Sequence, residues 1–327
     1  MAKAENQKQK LLYIADYLRN HTDETHAVST PQIIQHLEEN GIRAERKSIY
    51  SDIDTLIDYG YDILKENGPK GGYRLLSREF ELAEVKLLVD LVQSSKFITT
   101  KKSRSLIAKL EKLVSKNDAH RLQRQVVVTD RNKTPNENIY YNVDVIYEAI
   151  AVNAQIQFQY FDWNLKKEME LRKNGTMYHV SPWLLNWDYE NYYLIAYDST
   201  SQMMKHFRVD KMTALSVSNA KREGQELFDT IDAASYSKKN FGMFSGEEKS
   251  VRLLCDNSMI GVMIDRFGND ISIRPSDDSH FIARIQVAVS PLFFAWLTGF
   301  SDKIKILSPE DVEKGYTAHL KKILDNY

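Results

Sequence analysis

The side chains best suited to chemistry lie in one stretch, residues 178–212. His206 and Arg208 stand two apart in the alternating run His206-Phe207-Arg208-Val209-Asp210, so they share one strand face while Phe207 and Val209 share the other. Upstream, Asn191-Tyr192-Tyr193-Leu194-Ile195-Ala196-Tyr197 is dense in β-forming aromatic and branched residues. Alternation puts Tyr193 with Ile195 on one face and Tyr192, Leu194 and Ala196 on the other. Asp198-Ser199-Thr200-Ser201-Gln202 reads as the turn between them. The expectation is a hairpin with an apolar face for a core and a second face of tyrosine, histidine and arginine that forms a polar pocket wall. A guanidinium fixed on a strand can clamp a phosphate bidentately, and a neighbour such as Tyr193 can stack on a base. Each residue has a structural alternative. For Arg208 it is an ion pair with Asp210 or Asp162, for the tyrosines core packing, and for His179 and His206 a satisfied structural role. The two histidines are separated and lack a nearby carboxylate cluster, so no metal site is expected.

A second set of polar residues lies near the N-terminus. Ile49, Ile53, Leu56 and Ile57 form the inward stripe of a helix beginning at Arg46. Lys47, Ser48 and Ser51 then point away from the core, with Arg46 and Tyr50 at its boundary. Two helices precede it: one carries Leu11, Ile14, Ala15 and Leu18, the other starts at Thr30-Pro31 and ends at Asn40-Gly41. Two short strands follow, Tyr61–Glu66 and Gly72–Leu76, joined by the turn-rich Asn67-Gly68-Pro69-Lys70-Gly71. This is the pattern of a helix-turn-helix whose third helix enters the major groove, with a β-wing tipped by Lys70. A helix-turn-helix can also serve protein interaction, and residues 1–77 hold ten Lys/Arg against twelve Asp/Glu. The case for duplex DNA therefore rests on local clustering of Arg46, Lys47, Lys70 and Arg74.

Composition bounds the rest. Length alone, 327 residues, predicts roughly two or three domains, and 43% hydrophobic content is globular. Net charge is −1, so no global field draws the chain to nucleic acid or membrane. The single cysteine, Cys255, excludes an intramolecular disulfide and reads as a buried small hydrophobe. No apolar signal core and no membrane-length stretch is found, so a cytoplasmic chain with no membrane partner is expected. Phosphate-cradling glycine loops, nucleophile elbows and zinc-protease helices are absent. The Asp277-Asp278-Ser279-His280 group reads as a solvated turn. An enzyme is not expected, and no cofactor is.

Between the two polar regions, residues 80–92 are strongly helical, with a stripe read through Leu82, Ala83, Leu87 and Asp90-Leu91. A second helix spans 101–115. From Lys96 to Lys133 there are eleven Lys/Arg and three Asp/Glu, either a solvated face or contact with flanking DNA backbone. The apolar helices also fit a connector that pairs with a second copy. Residues 130–138 are polar and turn-rich and read as a linker. A helix at 141–152 and about five short strands follow. Residues 226–327 carry no excess of basic residues and read as βαββαβα.

These motifs resemble a bacterial family. Tyr192-Tyr193-Leu194, the Ser181-Pro182 lead-in, the Leu-Ile-Ala-Tyr run and Phe207-Arg208-Val209-Asp210-Lys211-Met212 resemble the WYL domain of bacterial transcription factors, with Tyr192 in place of the naming tryptophan. Arg46-Lys47-Ser48-Ile49-Tyr50-Ser51-Asp52-Ile53 and Gly71-Gly72-Tyr73-Arg74-Leu75 resemble the DeoR-like winged helix-turn-helix that precedes it. Trp296-Leu297 before Gly299-Phe300, and Ile306-Leu307-Ser308-Pro309-Glu310, resemble its C-terminal extension.

The resemblance implies an α+β multidomain chain. Its parts are a winged helix-turn-helix (1–77), a helical connector (78–137), an SH3/Sm-like WYL β-barrel (138–225) and a ferredoxin-like α+β dimerisation domain (226–327). It implies a homodimeric transcription regulator, a repressor in the leading reading, with a double-stranded DNA operator and a nucleotide-like or single-stranded nucleic-acid effector. DNA contacts are then expected from Arg46, Lys47, Ser48, Tyr50, Ser51, Lys70, Tyr73 and Arg74, and effector contacts from Tyr160, His179, Ser181, Tyr193, His206 and Arg208. Arg252 and Arg266 are either surface charge or contributors to a pocket in trans. The alternative is a nucleic-acid or nucleotide sensor, of the damage or phage-defence type, with no dedicated operator.

Overall fold

Helical periodicity in the first sixty residues produces three packed helices, α1 (Gln7–His21), α2 (Thr30–Glu39) and α3 (Arg46–Asp58). Ile14, Leu18, Ile33, Leu37, Ile49 and Ile53 lose all solvent contact between them. The computed structural model describes residues 7–68, 71–125, 133–188, 190–231, 236, 239–243 and 246–327. The chain is α+β and forms two compact units, Met1–Pro135 and Asn136–Tyr327.

In the first unit α3 leads into an antiparallel pair, β1 (Ile63–Lys65) and β2 (Tyr73–Leu75). Tyr73 also bridges to Val28 ahead of α2. Gly72 is required there: a Cβ would sit 2.4 Å from the Val28 carbonyl oxygen. The expected wing tip Lys70 lies outside the described residues.

The connecting helices α4 (Leu82–Ser94), α5 (Thr100–Leu110) and α6 (Lys116–Gln125) enclose a small core of Val85, Val89, Val114 and Leu122. This corrects the stripe expected on α4. Val85 and Val89 face inward with Leu82, while Leu87 and Leu91 are 61% and 56% exposed. The true face follows the Leu82-Val85-Val89 spacing of three and four. The helix expected over 101–115 ends early, in a 3-10 turn at Glu111–Leu113. The buried Ser115 hydroxyl then accepts from the Asp118 amide at 3.1 Å and opens α6.

Asp23 ties this layer to α1. It accepts from His26 and Thr25, and the Ser115 hydroxyl lies 2.9 Å away. Burial alone would raise the Asp23 carboxyl, but these hydrogen bonds outweigh it and hold it well below the usual carboxylate range.

The second unit opens with α7 (Ile139–Ala151), whose Ile139, Ile146 and Ala149 are buried. Six strands follow: β3 (Ala154–Trp163), β4 (Met169–Leu171), β5 (Tyr178–Asp188), β6 (Asn191–Asp198), β7 (Met203–Arg208) and β8 (Met212–Lys221). They are ordered β4-β3-β5-β6-β7, with β8 returning to pair with β3. β5 pairs with β3 through its first residues and with β6 through its later ones, so the sheet curls. Bulges on the β3/β8 and β5/β6 ladders add to the bend. A short helix, α8 (Gln225–Asp229), follows β8.

The chain ends in β9 (Glu247–Asp256), α9 (Ile260–Phe267), β10 (Ser272–Pro275), β11 (His280–Val289), α10 (Pro291–Thr298), β12 (Ile304–Ser308) and α11 (Glu310–Leu324). Sheet order is β10-β11-β9-β12, antiparallel throughout. Alternate residues of the strands, among them Val251, Leu253, Cys255, Phe281, Ala283 and Ile285, pack against Met263, Phe293, Leu297 and Val312 of the three helices. Cys255 is fully buried, and burial pushes its thiol up to about 12.

Candidate functional site

Two polar faces compete for the role of functional site. On α3 the buried stripe of Ile49, Ile53 and Leu56 forces the other side outward. Arg46, Lys47, Tyr50 and Ser51 are all exposed there. Arg46 Nε donates to the Tyr50 hydroxyl at 2.6 Å, with its guanidinium carbon 5.9 Å from the ring centroid. That contact lays the cation along the outer face without neutralising it.

The other expected DNA-contact residues stand elsewhere. Ser48 is drawn inward: it accepts from Lys10 Nζ and donates to Asp52 at 3.5 Å, and Lys10 pairs with Asp52 at 2.8 Å. The buried Lys10 ammonium needs these partners, so Ser48 completes an internal network. Tyr73 is only 7% exposed and belongs to the core, so it supports the surface from beneath. Arg74 is half-buried, paired with Glu66 and donating to the Glu24 carbonyl at 2.6 Å.

In the second unit, the expected hairpin forms. Tyr193 stands opposite Arg208 and Ile195 opposite His206, so these four share a face. Its arginine and histidine are already engaged. Arg208 donates to both oxygens of Asp210, at 3.0 and 2.7 Å, and to Asn191 Oδ1 at 3.0 Å. His206 Nε2 lies 2.7 Å from the Tyr236 hydroxyl, and the ring also bonds the Met243 backbone. Burial pulls the His206 ring down to about 4 and pushes the Tyr236 phenol up to about 12, so both stay neutral. Tyr193 is half-buried on this face, its phenol raised by burial.

Tyr160 packs among Phe158, Tyr178 and Phe207 and accepts from the Arg208 amide at 3.0 Å. Burial pushes its phenol up to about 12. Ser181 is buried and accepts from the Glu223 amide at 2.8 Å. His179, opposite Gln157 on β3, is exposed and stands apart from the others. The structure thus joins Tyr160 to Arg208 by a hydrogen bond, sets Tyr193 opposite Arg208 and His206 on the same strand face, and leaves Ser181 and His179 outside. On the face expected as a pocket wall, Arg208 and His206 already hold partners within the fold, while the Arg208 side chain stays 37% exposed.

Further cations near this network are ones that alternation overlooks. Arg172 and Lys173 lie in the turn after β4, with Lys173 and Asn174 in the left-handed region at φ +51°. Arg172 pairs with Asp162, and its guanidinium carbon stands 5.3 Å from the Tyr160 centroid. Lys173 Nζ stands 4.4 Å from the Tyr178 centroid. Lys211 shares Asp162 at 2.6 Å. Together they form a cationic rim over an aromatic cluster. The signal available in the sequence was Arg172-Lys173-Asn174-Gly175, a basic turn between strands.

The family model described as WYL domain matches residues 141–217, which hold α7, the curled sheet and this rim. Residues 141–217 form a WYL domain. Among solved structures, the chain is similar to proteasome accessory factor B/C (PafBC) of Arthrobacter aurescens, at 17% identity and a TM-score of 0.27, over 98% of this chain and 49% of that one. The chain therefore spans about half the length of PafBC. It is also similar to a structure described as a CRISPR Cas-related protein, at 14% identity and a TM-score of 0.25, over 67% of this chain and 60% of that one. No curated protein is significantly similar to the chain. Among the described residues no helix is long and apolar enough to cross a membrane, and no three His, Cys, Asp or Glu side chains gather as metal ligands.

Proposed function

We propose that the chain is a cytoplasmic, non-enzymatic, sequence-specific transcription regulator, a repressor in the leading form. A winged helix-turn-helix reads an operator, and the WYL domain senses a nucleotide-like or single-stranded nucleic-acid effector. The carrying observation is the exposed Arg46-Lys47-Tyr50-Ser51 face of a helix whose opposite side is core, in a chain that also holds a WYL domain. The hairpin β1/β2 stands as the wing, the curled sheet as an SH3/Sm-like barrel, and the last four strands as a ferredoxin-like domain. The homodimer sets two α3 helices about 34–36 Å apart, one duplex turn.

The effector site is assigned to the rim of Arg172, Lys173 and Lys211. An anionic ligand there competes with Asp162 for Arg172 and Lys211, so binding is coupled to the ion pairs that anchor the β4 turn to the sheet. The test is fluorescence anisotropy of the full chain on its own upstream intergenic duplex and on a scrambled duplex, across a salt series. Preference for the native duplex, with a log-linear salt dependence, is expected. Equal weak binding to both, with tight binding of nucleotides abolished by Arg172→Ala, would instead establish the sensor without an operator. The ten-to-twelve balance of basic and acidic residues in 1–77 favours that second reading.

A further inference from the structure

We infer that the open face of the C-terminal sheet is a second anion-binding surface, built for the phosphodiester strand of a single-stranded nucleic acid. The three helices α9, α10 and α11 cover one face through the buried residues of the core. The other face carries the alternate residues of the same strands. The register places them in rows. One row runs Ser272, Arg284, Arg252, Ser308 across β10, β11, β9 and β12. The next runs Arg274, Ile282, Leu254, Lys305 across the same strands. Ser250 and Gln286 face each other behind the arginine pair.

Three features separate this face from an ordinary solvated one. Arg252 and Arg284 stand directly opposite on antiparallel strands, with Cβ atoms about 5 Å apart, where like charges destabilise the pairing. Neither row contains a carboxylate, and among the described residues none of the four cations forms an ion pair; Arg284 Nε donates instead to the neutral Ser250 hydroxyl at 3.1 Å. Cations at the sheet's margins behave differently: Lys249 pairs with Glu247 and Asp311, and Lys239 with Glu248. Finally, Arg284, Arg274, Ser272 and Lys305 are exposed.

The chemistry selects the ligand. Paired guanidiniums flanked by serine hydroxyls supply charge and neutral donors to phosphate oxygens. Ile282 and Leu254, half-buried between Arg274 and Lys305, form an aliphatic floor for a sugar or an unstacked base. A duplex keeps its bases stacked inside and cannot use that floor. This surface does not depend on the effector site assigned to the WYL domain.

The test uses the full chain and a labelled short oligothymidylate, by anisotropy over a salt series. Arg252→Ala/Arg284→Ala is expected to weaken binding on the order of tenfold or more at low salt and to reduce the salt slope by about 1.4, roughly 0.7 for each phosphate no longer neutralised. Arg252→Lys/Arg284→Lys is expected to keep most of the slope. The variants are compared in an Arg172→Ala background, which removes the rim of the WYL domain as a competing site, and Lys314→Ala, an exposed lysine on the helical side of the same domain, serves as the control and is expected to leave this slope unchanged. Should the double alanine variant fail to fold, Arg284→Glu, at an exposed position, must still weaken binding by a similar factor. Unchanged oligothymidylate affinity in the folded variants would overturn the inference. So would displacement of the oligonucleotide by polyglutamate as readily as by unlabelled oligothymidylate, since that outcome assigns the face to an acidic polypeptide.

Discussion

The outer face of α3 and the Tyr193–Arg208 face of β6 and β7 are both alternations of polar side chains on an amphipathic element, yet they end in opposite states. On α3 the chain packs against one side only. Arg46 and Lys47 stay in solvent, and the nearest partner of Arg46 is a neutral phenol. On the hairpin, chain lies on both sides. Phe207 and Leu194 enter the core, while Tyr236 and Met243 meet His206 from the other direction, and Arg208 closes on Asp210 and Asn191. A buried polar group must find a partner inside the fold. A polar residue on a two-sided element is therefore spent on structure unless something leaves it exposed, and a cation on a one-sided helix is available from the start.

The sharpest way to break this contrast is Tyr73→Ala. If Tyr73 is core, truncation costs about 3–5 kcal/mol in urea denaturation, and DNA binding falls only with the folded fraction. Full stability with lost binding would return Tyr73 to the DNA surface. Next is acid. The folded pKa of His206, about 4, lies below the ordinary 6.5, so its contribution is complete above pH 6.5 and is lost as pH falls from 6.5 to 4. The loss amounts to about 3 kcal/mol, and the stability difference between wild type and His206→Phe should shift by that amount across the window. A difference that stays flat would mean a solvated ring. Arg208→Ala is a smaller test. With the Arg208 side chain 37% exposed and Asp210 12%, about 1–2 kcal/mol is expected, much of it recovered in Arg208→Ala/Asp210→Ala. No loss of stability together with abolished nucleotide binding would make Arg208 a ligand residue after all. The smallest stability effect belongs to Lys47→Ala: within about 0.5 kcal/mol of wild type in melting, with the operator salt slope reduced by about 0.9.

Legibility in the sequence followed the dimensionality of the signal. The α3 stripe of Ile49, Ile53 and Leu56, the alternation of β6 and β7, and the βαββαβα order of the last hundred residues were all readable from spacing. The face of α4 is ambiguous in the sequence because apolar residues stand on more than one side of the helix. Leucines at 87 and 91 compete with valines at 85 and 89, and only the positions of α5 and α6 select between them. Ser48 looked outward by helical phase but is pulled inward by Lys10, thirty-eight residues earlier. The rim of Arg172 and Lys173 lies in a turn, which has no periodicity to mark the direction of its side chains.

The sequence by itself determined which elements form, which residues are apolar enough to bury, and which motifs resemble a WYL domain, because these depend on local spacing and on residue type. Only the tertiary structure decided which polar side chains remain available. Arg208 and Asp210 are two residues apart, but whether they bind each other or a ligand depends on Asn191, Tyr160 and the curl of the sheet that brings them together. Arg252 and Arg284 are thirty-two residues apart, and nothing in the sequence sets them side by side; the register of β9 against β11 does. Solvation and long-range pairing decide between structure and binding, and both are properties of the folded chain.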